Sequence, residues 1–141
     1  MIQLELVTLT GVKLRKKVFE VKLPTPNGLI AVYSNHAPLV TLASPGVITV
    51  RDESNTPDDL QTNYAIDSGV IEIANNTVRV LVDEAEKDSE VSAKEAEEAL
   101  QRAKQLRNEA KDRTSLDKAQ ALVDRQASRL RIAELKRRRN R

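Results

Sequence analysis

The sequence contains no cysteine and no tryptophan, and it has one histidine, four glycines and an aromatic fraction of only 2%. Without cysteine there is no disulfide framework and no thiolate zinc site, which fits a reducing compartment. The single histidine, His36, excludes a metal site built from several imidazoles, and we expect no metal or cofactor. So few glycines leave no glycine-rich loop for a phosphate. These absences exclude several common kinds of enzyme site.

Long apolar runs are also missing. No stretch approaches the roughly 20 apolar residues that a membrane-spanning helix needs. The first residues lack the basic and then apolar pattern of a signal peptide, so none is expected. Any association with a membrane is therefore expected to be indirect, through a partner.

Charge divides the chain into two unlike parts. Residues 1–88 carry 8 basic and 12 acidic side chains, a net charge of −4, whereas residues 89–141 carry 15 basic and 9 acidic, a net charge of +6. The total of 141 residues allows one ordinary domain, or a small domain with an appendage. The asymmetry predicts two units with different partners.

The first unit has the pattern of short strands. Ile2, Leu4 and Leu6 alternate with polar neighbours, and later runs rich in β-branched residues end at Gly, Pro or Asn-Asn turns. Strands at this spacing predict a β sandwich or flattened barrel over residues 1–85. With an apolar fraction of 40% and few aromatics, its core must be built from Val, Ile, Leu and Ala.

The second unit, residues 86–141, has the pattern of an antiparallel α-helical hairpin. A charged stretch at residues 83–88 is predicted to be a linker, and Ser92 with Glu95 matches a capping box that starts the first helix. The first helix is expected to end near residues 112–113, and Thr114 with Asp117 offers a second box. The apolar stripes recur at steps of three and four, and their members are Ala96, Ala99, Ala103, Leu106 and Ala110 in one helix and Leu116, Ala119, Val123, Ala127, Leu130 and Ala133 in the other.

Alanine dominates both stripes, so the contact between the helices is thin. Each buried methyl group contributes only about 0.8 kcal/mol, although the helices themselves consist of strong helix formers. We therefore expect an arm that opens without melting its helices and that hinges on a rigid sheet domain. Equal amide-exchange protection in the arm and in the sheet domain would contradict this expectation.

The central stretch of the sheet half resembles the epsilon subunit family of the F-type ATP synthase, of the bacterial and chloroplast type. A glycine-containing strand leads into an Asn-His-Ala-Pro-Leu turn, and a Pro-Gly pair follows shortly after. Further similarity lies in the strand that begins at Gly69 and near the end of the chain, in residues 119–121 and 130–135. The matching residues of the central motif are Gly28, Asn35, His36, Ala37, Pro38, Leu39, Thr41, Pro45 and Gly46.

The resemblance implies a non-catalytic rotor subunit of the central stalk of a proton-translocating ATP synthase. One copy per complex would couple rotation of the gamma shaft to the c-ring, and the C-terminal helices would inhibit ATP hydrolysis when they extend toward the alpha/beta catalytic head. The implied location is peripheral, at the cytoplasmic face of the bacterial inner membrane rather than at a chloroplast thylakoid.

The resemblance also implies contact residues. His36 and Thr41 would face the gamma subunit, and Leu29 would face the c-ring. Some relatives have an acidic side chain where this chain has Leu29, so no ionic contact is expected there. Arg125, Arg129 and Arg131 would contact an acidic segment of the catalytic beta subunits, because arginine pairs bidentately with carboxylates.

Some bacterial relatives bind ATP through an Ile/Leu-Asp-x-x-Arg-Ala motif at the start of the hairpin. The corresponding stretch here runs from Val91 to Ala96, with Ser92 in place of the Asp and Glu95 in place of the Arg. Since Glu95 reverses the charge that a phosphate would meet, we expect weak or no ATP binding. A low-micromolar affinity measured by calorimetry would contradict this expectation.

Three features of the sequence allow interpretations other than those that the resemblance implies. His36 is interpreted as a locally hydrogen-bonded turn residue rather than a catalytic base. The acidic side chains of residues 83–90 are expected to be solvated rather than to form a cation or catalytic site. The basic residues of the last helix, from Arg125 to Arg141, suggest as an alternative function a nucleic-acid-binding adaptor. Against that alternative, the sequence has no nucleic-acid motif and little aromatic material for stacking bases, so no nucleic-acid partner is expected.

Overall fold

Two stacked five-stranded sheets form the first part of the chain in the computed structural model, which describes residues 1–139. Asn140 and Arg141, the last member of the predicted basic row, lie outside the described residues. The first sheet has the order β2-β1-β9-β8-β5 and the second sheet the order β10-β7-β6-β3-β4. The strands are β1 (Ile2–Thr8), β2 (Gly11–Val18), β3 (Glu20–Thr25), β4 (Gly28–Val32), β5 (Leu39–Ala43), β6 (Gly46–Arg51), β7 (Thr62–Ile66), β8 (Gly69–Ala74), β9 (Thr77–Val82) and β10 (Ala85–Lys87).

The core lies between the two sheets and consists of aliphatic side chains. Along β1 the residues Ile2, Leu4 and Leu6 are all at most 1% exposed, while the residues between them are partly exposed. This is the period of two expected for a strand with one buried face. The paired strands are antiparallel except β1 and β9, which run parallel. The β-sandwich prediction is confirmed.

Asparagines make two of the turns of the sandwich. Asn75 and Asn76 have φ values of 51° and 61° and close the hairpin between β8 and β9, and Asn35 has a φ of 63° after β4. Two successive positive φ values give a turn whose twist matches the flanking strands. Asparagine tolerates this conformation because its short polar side chain can bond the local backbone.

The C-terminal part is the predicted helical hairpin, with α1 (Ala93–Glu109) and α2 (Arg113–Arg139). Ser92 caps α1 as expected, because its hydroxyl accepts a hydrogen bond of 3.4 Å from the backbone N–H of Glu95. The second predicted cap is wrong. Asp112, not Thr114, accepts from the backbone N–H of Ser115 at 2.7 Å, so α2 begins two residues earlier than Thr114 would allow. The hydrogen bonds from Ser115 lower the pKa of the Asp112 carboxyl, which keeps the cap charged.

The seam between the helices is small, and its membership differs in part from the predicted stripes. Leu100, Ala103 and Val123 form its buried centre. Leu106 and Leu116 were expected in the seam, but they are 53% and 38% exposed. They flank the turn between the helices, where α1 ends at Glu109 and α2 begins at Arg113.

Residues 83–88 are not a solvated linker, and that prediction is wrong. Ala85–Lys87 forms β10, which pairs antiparallel with β7 at the edge of the second sheet. Residues 88–90 then form a 3₁₀ turn in which Asp88 is 1% exposed. We call residues 83–88 the acidic segment. The division of the chain at residue 85 stays a prediction, although β10 extends the sheet through Lys87.

Candidate functional surfaces

The arm is folded against the outer side of the second sheet. Helix α2 contacts β6 and β7 and the 3₁₀ turn that follows β10. Ile132 is fully buried, and Ala133 and Gln126 are nearly so, although each lies on an otherwise polar helix. The apolar stripe of α2 therefore serves two contacts, one with α1 and one with the sheet domain.

Three arginines of α2 pair with carboxylates of the acidic segment. Arg125 contacts Glu84 and lies 3.6 Å from Asp67 Oδ1. The Arg129 Nε atom donates to Glu86 Oε2 at 2.9 Å. Near the end of the helix, the Arg139 guanidinium lies 3.6 Å from Asp88 Oδ2 and donates to the backbone carbonyl of Gln61 at 3.3 Å. We call Arg125, Arg129 and Arg139 the arginine face.

Arg131 differs from its neighbours in the predicted row. It is exposed, and no carboxylate of residues 1–139 lies within ion-pair distance of it. It lines a groove of about 380 Å³ together with Leu135 of α2 and with Leu29 and Pro24 at the edge of the second sheet. The structure thus brings Leu29 and Arg131 together, although the resemblance implies different partners for them.

Two carboxyl groups near the junction of the arm and the sheet domain, Asp67 and Glu90, have shifted pKa values. Burial raises the pKa of the Asp67 carboxyl, and the nearby Arg125 opposes this shift. The pKa of Glu90 is lowered, chiefly because Lys13 Nζ donates to its carboxylate at 2.8 Å. The pKa of Glu90 is lower in the folded chain than in the unfolded chain. The Lys13–Glu90 ion pair therefore stabilises the fold at pH values above the ordinary pKa of glutamate, and this stabilisation is lost as the pH falls through the lowered pKa.

His36 is held by its own turn. It is partly buried, and its Nδ1–H donates to the backbone carbonyl of Ala37 at 2.6 Å. The preceding Asn35 takes the left-handed conformation and donates its N–H to the side chain of Asn76 at 3.0 Å. The structure supports the local interpretation of this histidine, which lies just before the edge strand β5.

Thr41 lies on β5 but on the inner side of the first sheet. It pairs with the buried Ile71, whereas its neighbours Val40 and Leu42 are 72% and 61% exposed. Because successive side chains of a strand point to opposite faces, Val40 and Leu42 share the outward face. This face is not covered by the arm, which packs on the other sheet.

An apolar row crosses the outward face of the first sheet over all five strands. The register brings its members side by side, and several of them are large and exposed. We call this set the outward apolar row. Its members in strand order are Val12, Val7, Leu81, Val70 and Leu42.

A row of alternating charges runs beside the outward apolar row. Glu5 accepts from Arg79 at 3.0 Å and lies 3.5 Å from Arg15, and Arg79 also lies 3.8 Å from Glu72. Cross-strand pairs of opposite charge stabilise adjacent strands. The outward face therefore presents a neutralised charged row next to an uncovered apolar one.

Within residues 1–139, no group of three or more acidic or histidine side chains is placed to hold a metal ion. In the same part of the chain, no helix has both the length and the apolar character that crossing a membrane requires.

Sequence and fold comparisons agree with one another. The family model described as ATP synthase, Delta/Epsilon chain, beta-sandwich domain matches residues 1–88. The ATP synthase epsilon chain of Gloeobacter violaceus is 35% identical over 132 residues, which are 94% of this chain and 96% of the relative. That of Herpetosiphon aurantiacus is 33% identical over 139 residues, 98% of each chain. A chain in the structure of the Euglena gracilis mitochondrial ATP synthase, with OSCP, F1 and c-ring, superposes with a TM-score of 0.76 at 19% identity, covering 90% of this chain and 78% of that one.

Proposed function

We propose that this chain, which belongs to the ATP synthase epsilon family and is a non-catalytic subunit of that complex, joins the central stalk through the outward face of its first sheet. The gamma subunit is the proposed partner on this face. The observation that carries the proposal is the outward apolar row, which spans five strands and is left uncovered by the arm.

The chemistry of this face fits a protein partner. Large exposed apolar patches on a soluble domain mark interaction sites, and Leu42 and Val40 at its edge are among the most exposed large apolar side chains of the chain. The charged row beside them is paired internally, so docking would bury few unpaired charges. His36 lies just before β5, the edge strand that presents Val40 and Leu42 on this face, so we retain it as a proposed gamma contact; Thr41 points to the inner side of the sheet and would contribute only through its strand.

A stiff connection is required of a subunit that transmits torque. The two sheets pack through fully buried aliphatic side chains, and such a core has the density of a crystal rather than of a liquid. We propose that the edge at Leu29, which is 65% exposed, contacts the c-ring. The sheet domain would then couple the shaft to ion flow at the cytoplasmic face of a bacterial membrane, with one copy per complex.

The arm is proposed to regulate hydrolysis. Folded on the second sheet it lies on the opposite layer from the gamma-docking face, so it does not obstruct docking. Extended along the shaft, its arginines would reach the acidic segment of the beta subunits and resist rotation in the hydrolysis direction. A ligand or a rotational state shifts this equilibrium only by contacts that differ between the two positions.

The nucleic-acid adaptor is not favoured. The arginine face is paired with carboxylates, and the acidic segment would repel a phosphate backbone. We also retain the expectation of weak or no ATP binding, because Ser92 caps α1 and the Glu95 carboxylate would repel a phosphate.

Deleting the arm from Ser89 onward should leave assembly intact and raise the ATPase activity of the reconstituted complex on the order of fivefold or more. Assembly is retained because the proposed docking face lies on the first sheet. The measurement is hydrolysis by complexes of equal gamma content, with the full-length chain as reference. Unchanged hydrolysis would remove the inhibitory part of the proposal.

A point variant distinguishes loss of the contact with the beta subunits from loss of the contacts that hold the arm folded. Arg131→Gln removes an exposed cation without touching the ion pairs of the acidic segment, so it should raise hydrolysis in the same direction but less than the deletion. Arg125→Gln and Arg129→Gln are less informative alone, because both side chains also hold the arm to the sheet domain.

A further inference from the structure

We infer that the acidic segment is an internal occupant of the arginine face, so that an acidic partner segment reaches these arginines only after displacing it. The inference rests on the proposed function for the identity of the external partner. The internal contact itself is carried by the three pairs Arg125–Glu84, Arg129–Glu86 and Arg139–Asp88, which join one helix to one stretch of chain.

The spacing of the first two pairs matches. Carboxylates two residues apart on an extended strand, such as Glu84 and Glu86, are separated by about 6.6 Å. Guanidinium groups four residues apart on one face of a helix, such as Arg125 and Arg129, are separated by about 6 Å along the axis. Both sets run in the same direction, since the residue numbers of the partners rise together. An acidic stretch can therefore lie along the helix with Glu84 and Glu86 opposite Arg125 and Arg129. Arg139 lies about 15 Å beyond Arg129 along the axis, so its pair with Asp88 is a separate contact near the end of the helix.

Burial distinguishes two of the three pairs from ordinary surface pairs, whereas the Arg125 and Glu84 side chains are 32% and 54% exposed. The Arg129 and Glu86 side chains are 14% and 27% exposed, and the Asp88 side chain is 2% exposed. By contrast, Arg113 and Asp117 form a pair within α2 whose side chains are 85% and 63% exposed. Pairs shielded from water are screened less by salt and hold a position more firmly than exposed ones.

Internal and external use of the arginines exclude each other. Arg129 donates through Nε to Glu86 and through Nη1 to Gln126 Oε1 at 2.7 Å. Other donors of the guanidinium remain, but the Arg129 side chain is only 14% exposed beneath the acidic segment, so a carboxylate of another chain can approach it only if that segment moves away. The strength of the internal pairs therefore determines the fraction of molecules in which the arginines are accessible to an acidic partner.

The test uses the full chain and its lack of cysteine. A donor and an acceptor dye are attached at Ser54→Cys in the β6–β7 loop and at Lys118→Cys on α2, both exposed positions. The double variant Glu84→Gln with Glu86→Gln should raise the ratio of open to folded arm about fivefold, and added salt should raise it in the parent chain. The matched control Asp117→Asn breaks the exposed pair of α2 and should leave the ratio unchanged.

A charge swap distinguishes loss of the ion pair from unfolding of the variant. Arg129→Glu should open the arm, and combining it with Glu86→Arg should restore the folded ratio. Opening that is equal in the double variant and the control, or a swap that restores nothing, would overturn the inference. These outcomes are independent of the ATPase assay. If deletion of the arm leaves hydrolysis unchanged while the swap still restores folding, the proposed inhibition fails and the internal contact stands.

Discussion

Leu42→Asp should weaken binding of the chain to the gamma subunit by about 100-fold, because a carboxylate would be buried without a partner in an apolar contact. Leu42 is 61% exposed and pairs with Val70 on the outward face. The substitution should therefore leave the fold unchanged in the free chain. The measurement is the affinity for purified gamma subunit by calorimetry, with circular dichroism as the check of folding.

Leu106→Asp is the matched control for that experiment. Leu106 is 53% exposed, but it lies on α1, away from the first sheet, so its replacement should leave gamma binding within twofold. If both variants bind like the parent chain, the outward apolar row is not the docking surface. If both lose binding equally, the effect is a loss of solubility or folding rather than of a contact.

Gly69→Ala should destabilise the sheet domain by about 3 kcal/mol. A Cβ atom at this position would lie 2.0 Å from the Leu81 carbonyl oxygen and 2.8 Å from Val82 Cγ1. Since the obstructing oxygen belongs to the backbone of the paired strand β9, relief requires the two strands to move apart. Denaturant unfolding of the full chain measures the free energy of unfolding directly.

Gly46→Ala provides the contrast. Its Cβ would meet Pro24 Cβ at 3.0 Å and Pro24 Cγ at 3.1 Å, so the proline ring would have to move by only a few tenths of an ångström, much less than the Leu81 oxygen beside Gly69. The free energy of unfolding should change by less than about 1 kcal/mol. Equal destabilisation by the two substitutions would show that the close approach at Gly69 is not the cause.

The local features of this fold are visible in the sequence. The alternation of Ile2, Leu4 and Leu6 predicts a strand with one buried face, and Asn75-Asn76 predicts a tight hairpin. Ser92 before a run of helix formers predicts the start of α1. Each of these predictions depends on interactions within a few residues, and each is confirmed by burial, dihedral angles or hydrogen bonds.

Distant contacts explain what sequence reasoning missed. The acidic segment has the composition of a solvated linker, but its backbone pairs with β7 and its carboxylates meet arginines of α2 about 40 residues away in the chain. The outward apolar row depends on a β-bulge between Leu6 and Val7, which shifts the register so that Val12 pairs with Val7. Neither the pairing of strands nor the bulge follows from periodicity within one strand.

The candidate surfaces were also predictable only in their local features. The sequence indicates a turn at His36 and an arginine-rich helix, but not that Val40 and Leu42 rather than Thr41 face outward. Pro38 directly precedes β5, and the strand's exposure could be recognised only once β5 was known to be an edge strand paired with β8.

The central claim is that the sheet domain docks on a gamma shaft, and purification of the tagged full chain from detergent-solubilised membranes of its host tests it most directly. We expect alpha, beta and gamma subunits to accompany the parent chain, and gamma to be lost when Leu42→Asp is introduced. A parent chain recovered from those membranes without any gamma subunit would contradict the account.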